Sequence, residues 1–194
     1  MQFSCFSAIT PRLRAAAQLI AYELPLVLAS AAIVMQAGSM SLLSITQAQS
    51  SYWYVFTQPI GFLIFLVASL AELTRPPFDM PIADSEIIFG AYTEYTGLKF
   101  AFFLLSEYGG IVALSAIASV LYLGGYLALP GLSFIPAPLW LLGKIGVLSF
   151  VVIWLRATYP RLREDQLQRF AWLGLVPLSL LQIMVVAIVK VAVH

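Results

Sequence analysis

The sequence predicts an all-α protein, a polytopic bundle of about five transmembrane helices. Of the 194 residues, 61% are hydrophobic and 10% are charged, whereas a soluble domain carries about 25% charged residues. The mean hydropathy is +0.95. Apolar windows of about 20 residues, enough to cross a hydrocarbon core of roughly 30 Å, occur five times. The connections between these windows alternate between uncharged and charged segments, which is typical of a chain that crosses a membrane repeatedly.

The predicted spans form a single membrane domain over residues 1–194. Ahead of them, residues 1–11 lack a basic start followed by an apolar core and a small-residue cleavage site, so we expect no signal peptide and an irregular backbone. Pro76 and Pro77 end the second span and open an acidic loop over residues 74–99, because proline cannot continue a helix. We place the spans at 15–37, 53–73, 100–126, 138–157 and 170–192.

The distribution of basic residues predicts the orientation. Residues 38–52 and 127–138 contain no charge, whereas eight of the ten basic residues fall on the opposite side of the five-span arrangement. By the positive-inside rule, the N-terminus is cytoplasmic and the C-terminus is outside. Lys144 lies near the outer end of the fourth span, where it would either reach the interface through its long stem or form a buried ion pair.

Carboxylates are concentrated around the acidic loop, since six of the nine acidic residues fall within residues 71–108. Two acidic positions within the predicted spans are unusual. Glu23 lies roughly 12 Å and Glu107 roughly 10 Å inward from the cytoplasmic end of its span, at about 1.5 Å per residue. With Glu72 at the end of the second span, all three fall in the cytoplasmic half of the bilayer. An intramembrane charge costs about 2.5–3.5 kcal/mol on insertion scales.

Two interpretations of these carboxylates remain open. Structural ion pairs and solvated loop charges explain any one residue well, but they explain the intramembrane pair Glu23 and Glu107 poorly. A series of carboxylates that leads from a cytoplasmic loop into the membrane can instead hold or pass protons. Gly109, Ala113 and Ala116 form a small-residue stripe on the third span, which favours close helix packing rather than chemistry.

Other function classes find little support. Cys5 is the single cysteine and His194 the single histidine, so the sequence does not predict a Cys/His metal or haem site. No phosphate-binding glycine loop or catalytic triad is present. The net charge of +1 provides no overall attraction to nucleic acid. We expect no redox cofactor bound by this chain alone, a lipid bilayer as its surroundings and no nucleic-acid partner.

Seven segments of the sequence match one known family in the family's own order, over about residues 12–185. They are residues 13–23 (LRAAAQLIAYE), 71–79 (AELTRPPFD), 85–86 (SE), 92–95 (YTEY), 106–108 (SEY), 121–125 (LYLGG) and 156–167 (RATYPRLREDQL). Together they resemble subunit 1 (the H subunit) of bacterial proton-pumping NADH:quinone oxidoreductase, respiratory complex I.

The resemblance implies a subunit of an enzyme complex in a bacterial plasma membrane, where the chain contributes to a ubiquinone or menaquinone cavity and to the proton path that leads from it. Quinone is the implied substrate. NAD, FMN and iron–sulfur clusters belong to partner subunits, and the other membrane and peripheral-arm subunits are the implied partners. Glu23, Glu72 and Glu107 resemble the proton-path acids. The residues that resemble the family's quinone-cavity loop are Arg75, Asp79, Asp84, Glu86 and Glu94.

The chain departs from the family in two respects. Residues 79–86 read DMPIADSE where the family commonly reads DLPEAESE, so Ile82 replaces one acid and Asp84 shortens another. Family members are also much longer, so the chain resembles their C-terminal part, and we expect it to be inactive alone. The alternatives are the homologous subunit of a membrane-bound hydrogenase or formate hydrogenlyase, a non-functional truncated fragment, and a stand-alone transporter or channel, for which no internal repeat is visible.

Overall fold

The computed structural model describes the backbone of residues 2–73, 78, 97–128, 136–160 and 164–193, and the side chains of residues 17–73, 78, 97–128, 136–160 and 166–192. Every regular element in these ranges is helical, which confirms the all-α prediction. A π-helical turn, Phe170–Leu175, joins the last two helices. The helices are α1 (Gln2–Ala37), α2 (Leu42–Ala48), α3 (Tyr54–Thr57), α4 (Pro59–Glu72), α5 (Leu98–Tyr122), α6 (Ala137–Thr158), α7 (Glu164–Arg169) and α8 (Val176–Val193).

Within the described ranges, four helical stretches are long and apolar enough to cross a membrane: Ala17–Ala37, Leu98–Tyr122, Ala137–Thr158 and Gln166–Ala192. They coincide with the first, third, fourth and fifth predicted spans. The second predicted span, 53–73, is instead divided between α3 and α4. The 14 residues of α4 extend about 21 Å at 1.5 Å per residue, which is shorter than a hydrocarbon core of roughly 30 Å.

The division falls at Gln58, whose φ of −132° and ψ of 59° are not helical. Pro59 follows as the first residue of α4. A proline has no backbone N–H and disfavours helical geometry in the residue before it, so it starts a helix well and cannot continue one. The second predicted span therefore has a proline-induced break near its N-terminal end.

The N-terminal segment differs from the expectation of an irregular backbone, because α1 already begins at Gln2 and continues through Pro11. The residues after the proline, 13–17, read LRAAA. Leucine, arginine and alanine have the highest helix propensities. We attribute the continuous helix to these residues, which follow the single donor lost at Pro11.

A second proline accounts for the π-helical turn before α8. Pro177 cannot donate to the carbonyl four residues earlier, and its ring would crowd that turn of an ordinary α-helix. In the structure, the N–H of Val176 donates to the carbonyl of Ala171, five residues earlier. The wider turn makes room for the proline, as single π-helical turns commonly do at such positions.

The core lies where α1 packs against α4 and α8, with α5 and α6 forming a second packed pair beside it. Phe65 of α4 packs against Tyr122 of α5, with 5.7 Å between the ring centroids. The Tyr122 hydroxyl donates to the carbonyl of Ala29 in α1 at 3.2 Å. These contacts connect the two groups of helices through the middle of the bundle.

Amide side chains connect three helices at the Gln58 break. Gln182 of α8 donates to Gln58 at 2.8 Å, Gln58 donates to Gln36 of α1, and Gln36 donates to Thr57 at 3.3 Å. A Cβ atom added at Gly61 would lie 2.0 Å from Gln182 Nε2. Glycine at this position therefore allows α8 to approach α4 closely enough for the amide contact.

Lys144 is buried in α6 with 8% of its surface exposed. Its ammonium group donates to the carbonyls of Leu123 at 2.6 Å, Gly125 at 2.9 Å and Leu127 at 2.7 Å, and it lies 4.5 Å from the ring centroid of Trp53. The sequence left open an interfacial lysine or a buried ion pair. The structure shows a third arrangement, in which the lysine binds the turn that follows the C-terminus of α5, where a helix dipole favours a cation.

Candidate functional site

The candidate site consists of three carboxylates, Glu23 of α1, Glu72 of α4 and Glu107 of α5. Glu72 is the last residue of α4 and is half-buried. One of its carboxylate oxygens, Oε2, is fully buried and accepts no hydrogen bond from the described residues. A buried oxygen without a donor is costly, of the order of 1–3 kcal/mol or more for a charged group. The surroundings of Glu72 therefore affect the protonation of its carboxylate.

Glu23 is close enough to Glu72 for the charges of the two carboxylates to interact. The two residues belong to α1 and α4, which pack against each other. Glu23 itself is exposed on the surface of the chain. Its neighbours Leu19, Ile20 and Val27 are exposed as well, so the carboxylate lies on an apolar helix face.

Glu107 is half-buried on α5. The next turn of α5 approaches the end of α4, since a Cβ atom added at Gly110 would lie 2.8 Å from a methyl group of Leu73. Leu73 directly follows Glu72. On the other side, Arg156 of α6 donates to the hydroxyl of Tyr108 at 3.3 Å. The structure thus brings the part of α5 one turn after Glu107 next to the end of α4.

Two residues that the sequence analysis did not select support this region. Gln18 donates to the carbonyls of Ala71 and Phe78 at 3.0 and 2.8 Å. Tyr22 donates to the carbonyl of Leu167 at 2.9 Å. A glutamine within an apolar span, four residues before a tyrosine on the same helix face, is the sequence signal that identifies them.

The quinone-cavity loop residues lie outside the described part of the chain, and the structure does not test them. They are Arg75, Asp79, Asp84, Glu86 and Glu94. Phe78 is described and buried, with 5% of its surface exposed. Among the described residues, no group of three or more His, Cys, Asp or Glu side chains could hold a metal ion. The chemistry available to the three described carboxylates is the binding and release of protons.

A family model described as NADH dehydrogenase matches residues 3–187. The H subunit of the NADH-quinone oxidoreductase of Geobacillus kaustophilus is 48% identical over 183 residues, which cover 94% of this chain and 55% of the relative. The corresponding protein of Anoxybacillus flavithermus is 46% identical over the same shares of both chains, and that of Bacillus mycoides is 48% identical over 178 residues, 92% of this chain and 54% of the relative. The chain spans about half the length of the curated relatives it matches.

Proposed function

Because the chain belongs to the NADH dehydrogenase family that includes the H subunits of NADH-quinone oxidoreductases, we propose that it acts as a membrane subunit of such an enzyme complex. In this role it contributes to a quinone cavity and to the proton path that couples quinone reduction to proton translocation. Glu23, Glu72 and Glu107 are the proton-path residues. Arg75, Asp79, Asp84, Glu86 and Glu94 belong to the cavity loop. Electrons reach the quinone from NADH, which is oxidised to NAD, through FMN and iron–sulfur clusters in partner subunits.

One observation carries this proposal, a buried oxygen of Glu72 that accepts no hydrogen bond from the described residues, on the helix that packs against the helix of Glu23. Two carboxylates close to each other favour a state in which one of them is protonated. A proton added to or removed from one of them then changes the affinity of the other. This dependence is what a pair of carboxylates in a proton path requires.

The exposed surface around Glu23 supports a role within a larger assembly. Glu23 lies among the exposed apolar residues Leu19, Ile20 and Val27. Direct contact of its carboxylate with lipid would cost about 2.5–3.5 kcal/mol on insertion scales. We therefore propose that further helices of the complex, from the part of the family length that this chain does not span or from neighbouring subunits, cover this face of α1.

A double-mutant cycle tests the proposed carboxylate pair. Glu23→Gln and Glu72→Gln, alone and combined in the assembled complex, should slow coupled quinone reduction non-additively, with an interaction energy of about 0.5–3 kcal/mol. A matched control combines Glu23→Gln with Lys190→Met. Lys190 binds the carbonyl of Met35 at 2.7 Å, about 18 Å along α1 from Glu23, so these two effects should add. Strict additivity in the carboxylate cycle would show that the two groups act separately.

We propose that the N-terminus is cytoplasmic in a bacterial plasma membrane, because eight of the ten basic residues lie on one side of the five-span arrangement. Single cysteines placed at Ser44 and at Gln166, with Cys5 replaced, should react with a membrane-impermeant reagent from opposite sides. Ser44 should react from outside and Gln166 from the cytoplasm. Labelling of both positions from the same side would contradict the arrangement.

A further inference from the structure

We propose that Gln18 and Tyr22 are positioning residues that hold two segments of the chain, the connection after α4 and helix α7, against α1. We call the set of Gln18, Tyr22, Phe78 and Leu167 the loop clamp. This inference rests on the proposed function, since it gives the cavity loop a fixed position relative to the proton-path carboxylates.

Gln18 spans the start of the connection after α4. Its amide nitrogen carries two protons, and it donates one to the carbonyl of Ala71 at 3.0 Å and one to that of Phe78 at 2.8 Å. One amide therefore fixes the chain on both sides of residues 74–77. Gln18 is 1% exposed, so water does not compete for these two bonds. The bonds anchor the connection to α1 at its beginning.

Tyr22 lies one turn after Gln18 on the same face of α1 and contacts both segments. Its ring packs edge-to-face against Phe78, with 5.5 Å between the ring centroids. Its hydroxyl donates to the carbonyl of Leu167 in α7 at 2.9 Å. Tyr22, Phe78 and Leu167 are 1%, 5% and 0% exposed. The clamp is therefore a packed core between the connection after α4 and α7.

Two of the proposed proton-path residues are sequence neighbours of residues that form or bind the clamp. Glu23 directly follows Tyr22, and Glu72 directly follows Ala71, whose carbonyl binds Gln18. A movement of the cavity loop at Phe78 therefore displaces the backbone beside both carboxylates. Gln18 and Tyr22 keep the loop and the carboxylate pair in one arrangement, without themselves exchanging protons with the path.

Two variants and one matched control distinguish a specific loss of the clamp contacts from a general loss of protein stability. Gln18→Glu keeps the size of the side chain and removes both donors. Tyr22→Phe removes one hydroxyl and keeps the ring against Phe78. Tyr122→Phe is the control, because Tyr122 is also fully buried and also donates one hydrogen bond to a backbone carbonyl, that of Ala29 at 3.2 Å, but in the middle of the bundle.

Hydrogen exchange in the complete complex tests the contacts without any quinone. Gln18→Glu should accelerate exchange in peptides from residues 73–97, and Tyr22→Phe in peptides from residues 161–169. The expected acceleration is about 3- to 10-fold, as the loss of one or two hydrogen bonds implies. Tyr122→Phe should leave both regions unchanged. Unchanged exchange in both clamp variants, or equal acceleration in the control, would overturn the clamp.

Steady-state kinetics then tests the positioning role. Both clamp variants should raise KM for quinone about threefold or more while turnover at saturating quinone changes less, and the control should keep the original KM. Accelerated exchange with an unchanged KM would confirm the contacts but overturn the positioning role. It would also count against the assignment of the loop to the quinone cavity. Tyr22→Phe removes a single oxygen atom, so it remains informative if Gln18→Glu does not assemble.

Discussion

Glu107→Gln and Glu23→Gln, each introduced into the assembled complex, are expected to slow quinone reduction coupled to proton translocation by about tenfold or more. Glutamine keeps the shape and the hydrogen-bonding oxygen of the side chain and removes the titratable group. Glu23 is exposed and Glu107 half-buried on the chain, so neither substitution creates a cavity in its core, and subunit assembly should remain largely intact. Turnover and proton uptake are measured together in proteoliposomes.

The alternative interpretation, structural ion pairing, makes the opposite prediction for the same variants. Removal of one partner from a buried ion pair leaves the other charge unpaired and typically destabilises by about 3–5 kcal/mol. Assembly would then suffer, and the assembled fraction would turn over normally. Normal coupled turnover in both variants would contradict the assignment of Glu23 and Glu107 to a proton path. Glu164→Gln, on the short helix α7 outside the membrane spans, is the matched control and should leave turnover unchanged.

Lys144→Met is expected to have the largest effect on folding. Lys144 donates to three backbone carbonyls at 2.6–2.9 Å and is 8% exposed. Hydrogen bonds to charged groups contribute about 1.5–3 kcal/mol each, and methionine would leave all three carbonyls without this donor inside the bundle. We expect a loss of about 3 kcal/mol or more in the free energy of unfolding, measured as a lower thermal midpoint and a smaller amount of assembled complex.

The other lysines provide graded controls for this prediction. Lys190 binds only two carbonyls, those of Met35 and Gln36 at 2.7 and 3.1 Å, and is only partly buried, so Lys190→Met should destabilise less. Lys99 is exposed near the start of α5, and Lys99→Met should have a negligible effect. Equal stability of the Lys144 and Lys99 variants would contradict the structural role assigned to Lys144.

Hydropathy and loop charge were sufficient to predict the helical class and the four long helices, because a bilayer imposes a minimum length on every span. The break at Gln58 was missed, although Pro59 signals it. The hydropathy of a window of about 20 residues hardly changes when one of them lacks a backbone N–H. The stripe of Gly109, Ala113 and Ala116 was predicted to pack closely. In the described part of the chain, nothing lies within 4 Å of a Cβ atom added at Gly109, whereas one added at its neighbour Gly110 would meet Leu73.

The candidate site was predictable only in part. Residue type and predicted depth selected Glu23, Glu72 and Glu107 as candidates, since a charge within a predicted span is unusual whatever surrounds it. The partners of Gln18, Tyr22 and Lys144 could not be predicted, because each binds backbone carbonyls. Any residue supplies such a carbonyl, so the sequence contains no pattern that marks it. These contacts depend on how α1, α4, α5 and α6 pack.

The most direct test of the account is redox-induced infrared difference spectroscopy on the assembled complex, which follows the carboxyl C=O stretching band as quinone is reduced. The account predicts a carboxyl band that accompanies quinone reduction, shifts on ¹³C labelling of glutamate, and is lost or strongly reduced in Glu72→Gln. Glu23→Gln should alter the same band, because the two charges interact. A carboxyl band identical in the unmodified complex and in the Glu23, Glu72 and Glu107 variants would contradict it.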